Sequence, residues 1–388
     1  MKVLVAFDKF KDCLTAKEAC SAATEVIQRL RPDWELEACP LTDGGEGFCE
    51  ILTSAAGGVF RHVRVLNARF RETQACLGII EAKNLSDTVH RLLQTPDNTK
   101  LVAVVEMAQA SGLQQLALPE RNAWACSSCG TGQLLREACQ TNADLILLGI
   151  GGSATNDLGL GALEGLGAEF ITRKGESLSR ITPSQFDQLA QIDLHSNFVP
   201  MPETRIACDV DNPLLGPTGA TANYGVQKGL DETELPVMDA LMEKTAKLLC
   251  LASGAKETVV NLPGAGAAGG IGLALHLSLG ASFVPGFALV KEWLGLKRKI
   301  QDADLILTGE GRLDESSLCG KGPWAIVEEA AHTGKSVQFY SGSIARSVQN
   351  VMPKEVYACS ITPPGLELKV ALVEGANLLG KAISKHLR

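Results

Sequence analysis

The sequence predicts an α/β protein of two domains, and three observations carry that expectation. At 388 residues the chain exceeds what one ordinary hydrophobic core supports. Short aliphatic runs alternate with stretches of helical periodicity, the pattern of a largely parallel sheet covered by helices. Several of those runs end abruptly in Gly, Asp, Asn and hydroxyl residues, and in parallel sheets ligands gather at the carboxyl ends of strands.

Taken in order, VLVAF (3–7), VAVVE (102–106), LILLG (145–149), RIACDV (205–210), LILTG (305–309), VQFYSG (337–342) and VYACS (356–360) read as strands buried on both faces. A helix is expected over 15–30. Thr15 and Glu18 form a capping box there, and Ala19, Ala22, Ala23, Val26, Ile27 and Leu30 recur at helical spacing. A second helix begins at Pro323, whose missing N–H suits a first helical position, and a third is expected over 238–251. The strand-and-exit segment 143–151 matches 303–311 at seven of nine positions, so two strands share one polar, glycine-rich exit.

Composition excludes several classes. Acids outnumber bases, 44 to 36, for a net charge of −8, and no basic run exists, which argues against nucleic-acid or membrane-surface partners. The uncharged run 258–290 holds seven glycines and two prolines, so it reads as loops around a buried helix and not as a membrane span. The amino terminus lacks a long apolar signal core, which points to the cytoplasm. Cys126 and Cys129 have redox-motif spacing but no second pair, and read as incidental among twelve cysteines. The six histidines are scattered outside the polar loops.

Five loops concentrate Gly, Asp, Glu and Asn: 7–16, 41–48, 149–157, 208–216 and 308–323. Together they supply what phosphoryl transfer needs. The N–H groups of Gly151, Gly152 and Ser153 can approach anionic oxygens. Asp43, Asp157, Asp209 and Asp211 can hold a hydrated magnesium ion or accept a hydroxyl proton. Lys11, Arg312 and Lys321 can neutralise phosphate or carboxylate. The Walker A pattern and the protein-kinase catalytic loop are absent. Gly264 to Gly269 spell a literal GxGxxG, but Pro263 interrupts its approach and no acidic residue follows near twenty positions on. A nicotinamide-dependent oxidoreductase built on that motif is one rival reading. A ligand sensor that lost its chemistry is another.

The ordered strings DKFK, DGGEG, GGSATND, CDVDNPLLGPTGAT, PGAGAAGGIG and TGEGRLD resemble the bacterial glycerate kinases of the first type, from Met1 to roughly the last twenty residues. The resemblance implies transfer of the terminal phosphoryl group of ATP, with Mg2+, to D-glycerate, usually at the 2-hydroxyl. The residues themselves leave the 2- and 3-hydroxyls open. It implies two α/β domains, one flavodoxin-like with a parallel sheet and one a distinct mixed-sheet domain, with the active site in the cleft between them. The expected division is 1–75 plus 286–388 for the flavodoxin-like domain and 76–285 for the second. A homo-oligomer stands as a possible assembly.

Carried over by position, the resemblance makes Asp157, Asp43 and Lys11 the catalytic candidates, with Asp157 first as base. Gly151, Gly152, Ser153, Thr155, Gly266 and Gly269 become nucleotide or phosphate contacts. Asp8, Asn156, Arg312 and Asp314 become substrate contacts, and Asp209 and Asp211 the metal ligands. Replacement of Asp157 by Asn is then expected to lower turnover by orders of magnitude without affecting folding. Lys9, Asp12 and Cys13 depart from the family's first loop, where Ser, Gly and Ser are expected.

Overall fold

The computed structural model describes every residue of the chain except Ser316, Cys319, Lys321 and Arg388. Among the described residues the strands are β1 Lys2–Phe7, β2 Glu35–Ala38, β3 Val59–Leu66, β4 Glu72–Glu81, β5 Leu101–Glu106, β6 Leu145–Gly149, β7 Glu169–Thr172, β8 Ser177–Leu178, β9 Leu189–Asp193, β10 Glu203–Cys208, β11 Ser282–Pro285, β12 Leu305–Leu313, β13 Ser336–Ile344 and β14 Val356–Ser360. The chain divides into two compact units, Met1–Asp43 with Val290–Arg388, and Gly44–Leu289.

The first unit is built on a five-stranded sheet of order β14-β13-β12-β1-β2, parallel throughout. Counted within the unit this is 2-1-3-4-5, the flavodoxin-like order. The aliphatic runs expected at 3–7, 305–309, 337–342 and 356–360 are four of its strands. Val3, Val5 and Phe7 pack with Ala19, Ala23 and Ile27 of the helix Ala16–Leu30 and with Leu379 and Ile383 of the helix Gly375–His386. The helix Ala16–Leu30 starts where its capping box requires: Thr15 Oγ1 accepts the Glu18 N–H, and the Glu18 carboxylate accepts the Thr15 N–H at 2.8 Å. The helices Leu296–Asp302 and Gly322–His332 also pack on the sheet, so the apolar strands are enclosed as their composition demands.

The second unit holds a six-stranded mixed sheet of order β11-β10-β6-β5-β4-β3 and a small antiparallel sheet of order β8-β7-β9. β5, β6, β10 and β11 are parallel, while β4 runs antiparallel to both β3 and β5. The boundary expected at residue 75 falls inside β4. Eight residues of β3 are in register with β4, and β4 is in turn in register with β5, so this hairpin belongs to the second sheet. The core of the unit joins Val105, Ile146, Leu148 and Ile206 of the sheet to Leu134, Leu163, Met242 and Leu275 of its helices. The uncharged run 258–290 divides into turns, the nine-residue helix Ile271–Leu279 and β11. Among the described residues no helix is long and apolar enough to cross a membrane.

Candidate active site

In the first unit the strand order reverses between β1 and β12, and such a switch point leaves a ligand-sized crevice beyond the carboxyl ends of the two strands. β1 delivers Asp8, Lys9 and Lys11 there, and β12 delivers Glu310 and Arg312. Asp8 is buried, its N–H bonded to the Gly309 carbonyl at 3.0 Å and its Oδ1 accepting the Lys9 N–H at 2.7 Å. Lys9 Nζ lies 3.1 Å from Asp43 Oδ1. Burial, with the nearby charges of Asp8, Asp314 and Asp43, pushes the Glu310 carboxyl up to about 7, and a hydroxyl from Ser317 offsets this only in part. Among the described residues Glu310 Oε1 is buried with no hydrogen-bond partner. A carboxyl titrating near neutrality beside an open crevice suits a general base. Lys11 is exposed and lines, with Phe10, Gly311 and Ser343, a cavity of about 370 Å³ on this same edge. Arg312 is mostly exposed and its Nε sits 3.0 Å from Asp314 Oδ2, an ion pair within the loop. Lys321 lies outside the described residues.

In the second unit two glycine-rich turns pack back to back. The Gly151 N–H bonds the Gly44 carbonyl at 2.9 Å. A Cβ at Gly151 would stand 2.7 Å from the Gly45 backbone, and one at Gly152 would stand 2.6 Å from the Glu46 carboxylate, so neither position admits a side chain without movement. Beneath them lies Glu106, the last residue of β5, fully buried. Its Oε2 accepts the Cys49 N–H at 3.1 Å and ties down the start of the helix Phe48–Ala55. Burial raises its carboxyl to about 7 against these bonds.

The loop after β6 continues inward from Gly152, which is exposed, to Ser153, 8% exposed, and then to Thr155, Asn156 and Asp157, all fully buried. Asn156 Nδ2 donates to Thr221 Oγ1 at 3.0 Å, while Asn156 Oδ1 and Thr155 Oγ1 have no hydrogen-bond partner among the described residues. Lys228 is buried behind the loop. Its Nζ donates to Ser153 Oγ at 3.0 Å and to the Thr155 carbonyl at 2.7 Å. Burial lowers its pKa to about 8, and the charge of Asp157 offsets this only in part.

These placements revise several expectations. Asp157, expected as the base, accepts four donors: the Ser128 N–H and hydroxyl at 2.7 and 2.8 Å, the Gly159 N–H at 3.1 Å and the Gly161 N–H at 3.2 Å. Both oxygens are spent on the chain itself and no surface is open to a substrate, so the geometry makes it an anchor for the loop and for the helix Leu160–Gly165. Gly266 and Gly269 are buried by backbone. A Cβ at the first would meet the Pro213 carbonyl at 2.1 Å and one at the second the Thr155 carbonyl at 2.3 Å, so close backbone packing requires glycine at both. The segment before them is a turn of 3-10 helix, Glu257–Asn261, and not the strand that a dinucleotide fingerprint requires. Burial pushes the Cys126 thiol up and the Cys129 thiol up to about 12, which agrees with inert packing residues.

Asp209 Oδ2 accepts the Phe287 N–H at 2.7 Å, and Asp211 is exposed two residues on. Among the described residues no group of three His, Cys, Asp or Glu side chains is placed to hold a metal. One or two carboxylates with water and substrate phosphates are the usual protein share for Mg2+, and the Asp209–Asp211 pair fits that share. Glu106 and Lys228 went unrecognised in the sequence. Glu106 is the one charged residue closing the run VAVVE, a signal that was present. Lys228 sits in an ordinary polar stretch, and only the fold reveals its burial.

The chain matches the glycerate kinase family over residues 3–388. It is 33% identical over 383 residues to a glycerate kinase of Halalkalibacterium halodurans, covering 98% of this chain and 96% of that one. It is 34% identical over 350 residues to the glycerate 2-kinase of Escherichia coli K12, covering 90% and 87%. Among solved structures it resembles a Salmonella typhimurium LT2 protein provisionally named glycerate kinase 2, with a TM-score of 0.72 at 32% identity, over all of this chain and 97% of that one. On sequence and on fold alike, the chain belongs to the glycerate kinase family.

Proposed function

We propose that the protein transfers the terminal phosphoryl group of ATP to D-glycerate, at the 2-hydroxyl. The observation that carries the chemical part of this reading is Glu310, a carboxyl raised to about 7 at the switch point of a parallel sheet, with one oxygen unpartnered among the described residues. Phosphoryl transfer is mainly positioning and electrostatic stabilisation, and the protein's own proton chemistry is removal of the hydroxyl proton. Glu310, half-buried at the crevice, takes this proton, and Asp43, the other base candidate, is engaged by Lys9. Lys11 and Arg312 bind anionic groups at the first unit's loop edge. In the second unit the Gly151–Thr155 loop takes phosphoryl oxygens on backbone N–H groups and the Ser153 hydroxyl. Asn156, buried and bonded to Thr221, shapes that loop and does not meet glycerate directly. Mg2+ enters with the nucleotide, Asp211 and Asp209 are the side chains that would hold it, and it neutralises phosphate charge when bound.

The test is an ATP assay with D-glycerate, the product passed to enolase with and without phosphoglycerate mutase. Signal with enolase alone supports the 2-hydroxyl, signal only after mutase reverses the regiochemistry, and no ATP consumption removes the kinase reading. Glu310→Gln is expected to lower kcat by about 10²–10⁴-fold, the usual contribution of a general base. It should also abolish the acidic limb of the kcat/KM profile near pH 7. An unchanged acidic limb would assign the proton to another group.

A further inference from the structure

Lys228 presents a physical problem that the reading above leaves open. It is 2% exposed, yet its two hydrogen bonds go to neutral oxygens, Ser153 Oγ and the Thr155 carbonyl. Among the described residues it forms no ion pair with a carboxylate. Asp157, the closest source of negative charge, has its oxygens taken by Ser128, Gly159 and Gly161. An ammonium removed from water without a direct counter-ion is strongly unfavourable. The other groups facing it are the Cys126 thiol and the Tyr224 ring, whose centroid lies 5.9 Å from Nζ, and neither carries a full negative charge at neutral pH. On the far side of Ser153 the loop reaches solvent at Gly152, and Thr155 Oγ1 and Asn156 Oδ1 are buried without partners among the described residues. The arrangement is a buried positive charge one layer behind a loop whose rim reaches solvent.

We propose that Lys228 is the buried counter-charge of an oxyanion site at the Gly151–Thr155 loop, and that it acts as a positioning residue through Ser153 and Thr155. The occupant is a phosphoryl group, which in the proposed reaction belongs to ATP; the assignment rests on that reading for the nucleotide but not for the anion. By filling a lone pair of Ser153 Oγ, the ammonium turns the Ser153 O–H away from itself and leaves that proton for a phosphoryl oxygen. By drawing the Thr155 carbonyl inward it keeps an acceptor from facing the anion. The site therefore has a fixed hydroxyl donor at its rim and a positive charge one layer behind, in a low-dielectric setting where that charge acts strongly.

The experiment compares wild type, Lys228→Met, Lys228→Arg and Ser153→Ala by two readouts. The first is the rise in Tm produced by inorganic phosphate. The second is the pH dependence of kcat/KM for ATP and for D-glycerate. Wild type is expected to gain Tm with phosphate and to lose kcat/KM for ATP as pH rises through about 8, where free Lys228 discharges. Lys228→Met should abolish the phosphate response, remove the alkaline limb and cut kcat/KM for ATP by about 10²-fold, the usual loss for a preorganised donor. Lys228→Arg, which keeps the charge, should restore part of that loss. A folded Lys228→Met that keeps the phosphate response and the alkaline limb makes the lysine a packing residue and overturns the proposal. If Lys228→Met does not fold, Ser153→Ala decides: an unchanged phosphate response overturns the proposal and a lost one supports it. A phosphate response without glycerate phosphorylation would sink the kinase reading and leave the anion site standing.

Discussion

At Asp157 the difference between a carboxylate that does chemistry and one that holds a loop comes down to where its lone pairs go. The sequence places Asp157 at the end of GGSATND, and nothing in that string tells whether it faces solvent. The fold then surrounds it with two helix-start N–H groups and both donors of Ser128. Asp157→Asn replaces one acceptor oxygen by a donor that would confront those groups, and is expected to cost about 2–4 kcal/mol in urea denaturation. A variant that keeps wild-type stability but loses turnover would return Asp157 to the catalytic list. The first-loop departures also become physical at this scale. Asp12 has φ of 57°, in the left-handed region that favours glycine and tolerates Asp, so the glycine expected there is a backbone requirement that this chain meets otherwise. Lys9, in place of a small residue, gains an ion pair with Asp43.

Elements with strong local signals were legible, and those defined by pairing alone were not. The helix Ala16–Leu30 was readable because capping and periodicity agree, and the cap makes its own prediction. Thr15→Ala removes the side-chain acceptor of the Glu18 N–H and should lower the stability of the first unit by about 1 kcal/mol, measured by urea denaturation. No loss would mean that tertiary packing alone sets the helix start. β3 and β4 escaped notice for a different reason. VFRHVRVL alternates apolar with charged residues, and β3 stands at the sheet edge, where such charges are tolerated. Without the hairpin in view, residues 44–81 had no sheet to belong to, and the expected boundary fell inside β4.

For the whole molecule the legible part was the order of strands and loops; the hidden part was which polar groups the fold would bury. Glu106 and Lys228 are both buried, and burial moves their pKa values in opposite directions. The signs have separate consequences for stability. Glu106 is raised from 4.5 to about 7, so between those values the folded chain binds a proton that the unfolded chain has lost, and its contribution to stability falls as pH rises through that window. Lys228 is lowered from 10.5 to about 8, so between those values the unfolded chain holds the proton, and its contribution rises with pH there. Glu106→Gln, scanned by Tm from pH 4.5 to 7, is expected to flatten the loss expected of wild type. A slope equal to that of wild type would move the titration elsewhere. The back-to-back turns at Gly44–Glu46 and Gly151–Gly152 carry a further consequence for engineering. Gly151 packs on the Gly45 backbone and Gly152 on the Glu46 carboxylate, so a change in either turn is felt by the other. A library that exchanges the two segments, more than a hundred positions apart, as one cassette is expected to yield more folded clones than one that varies either segment by itself.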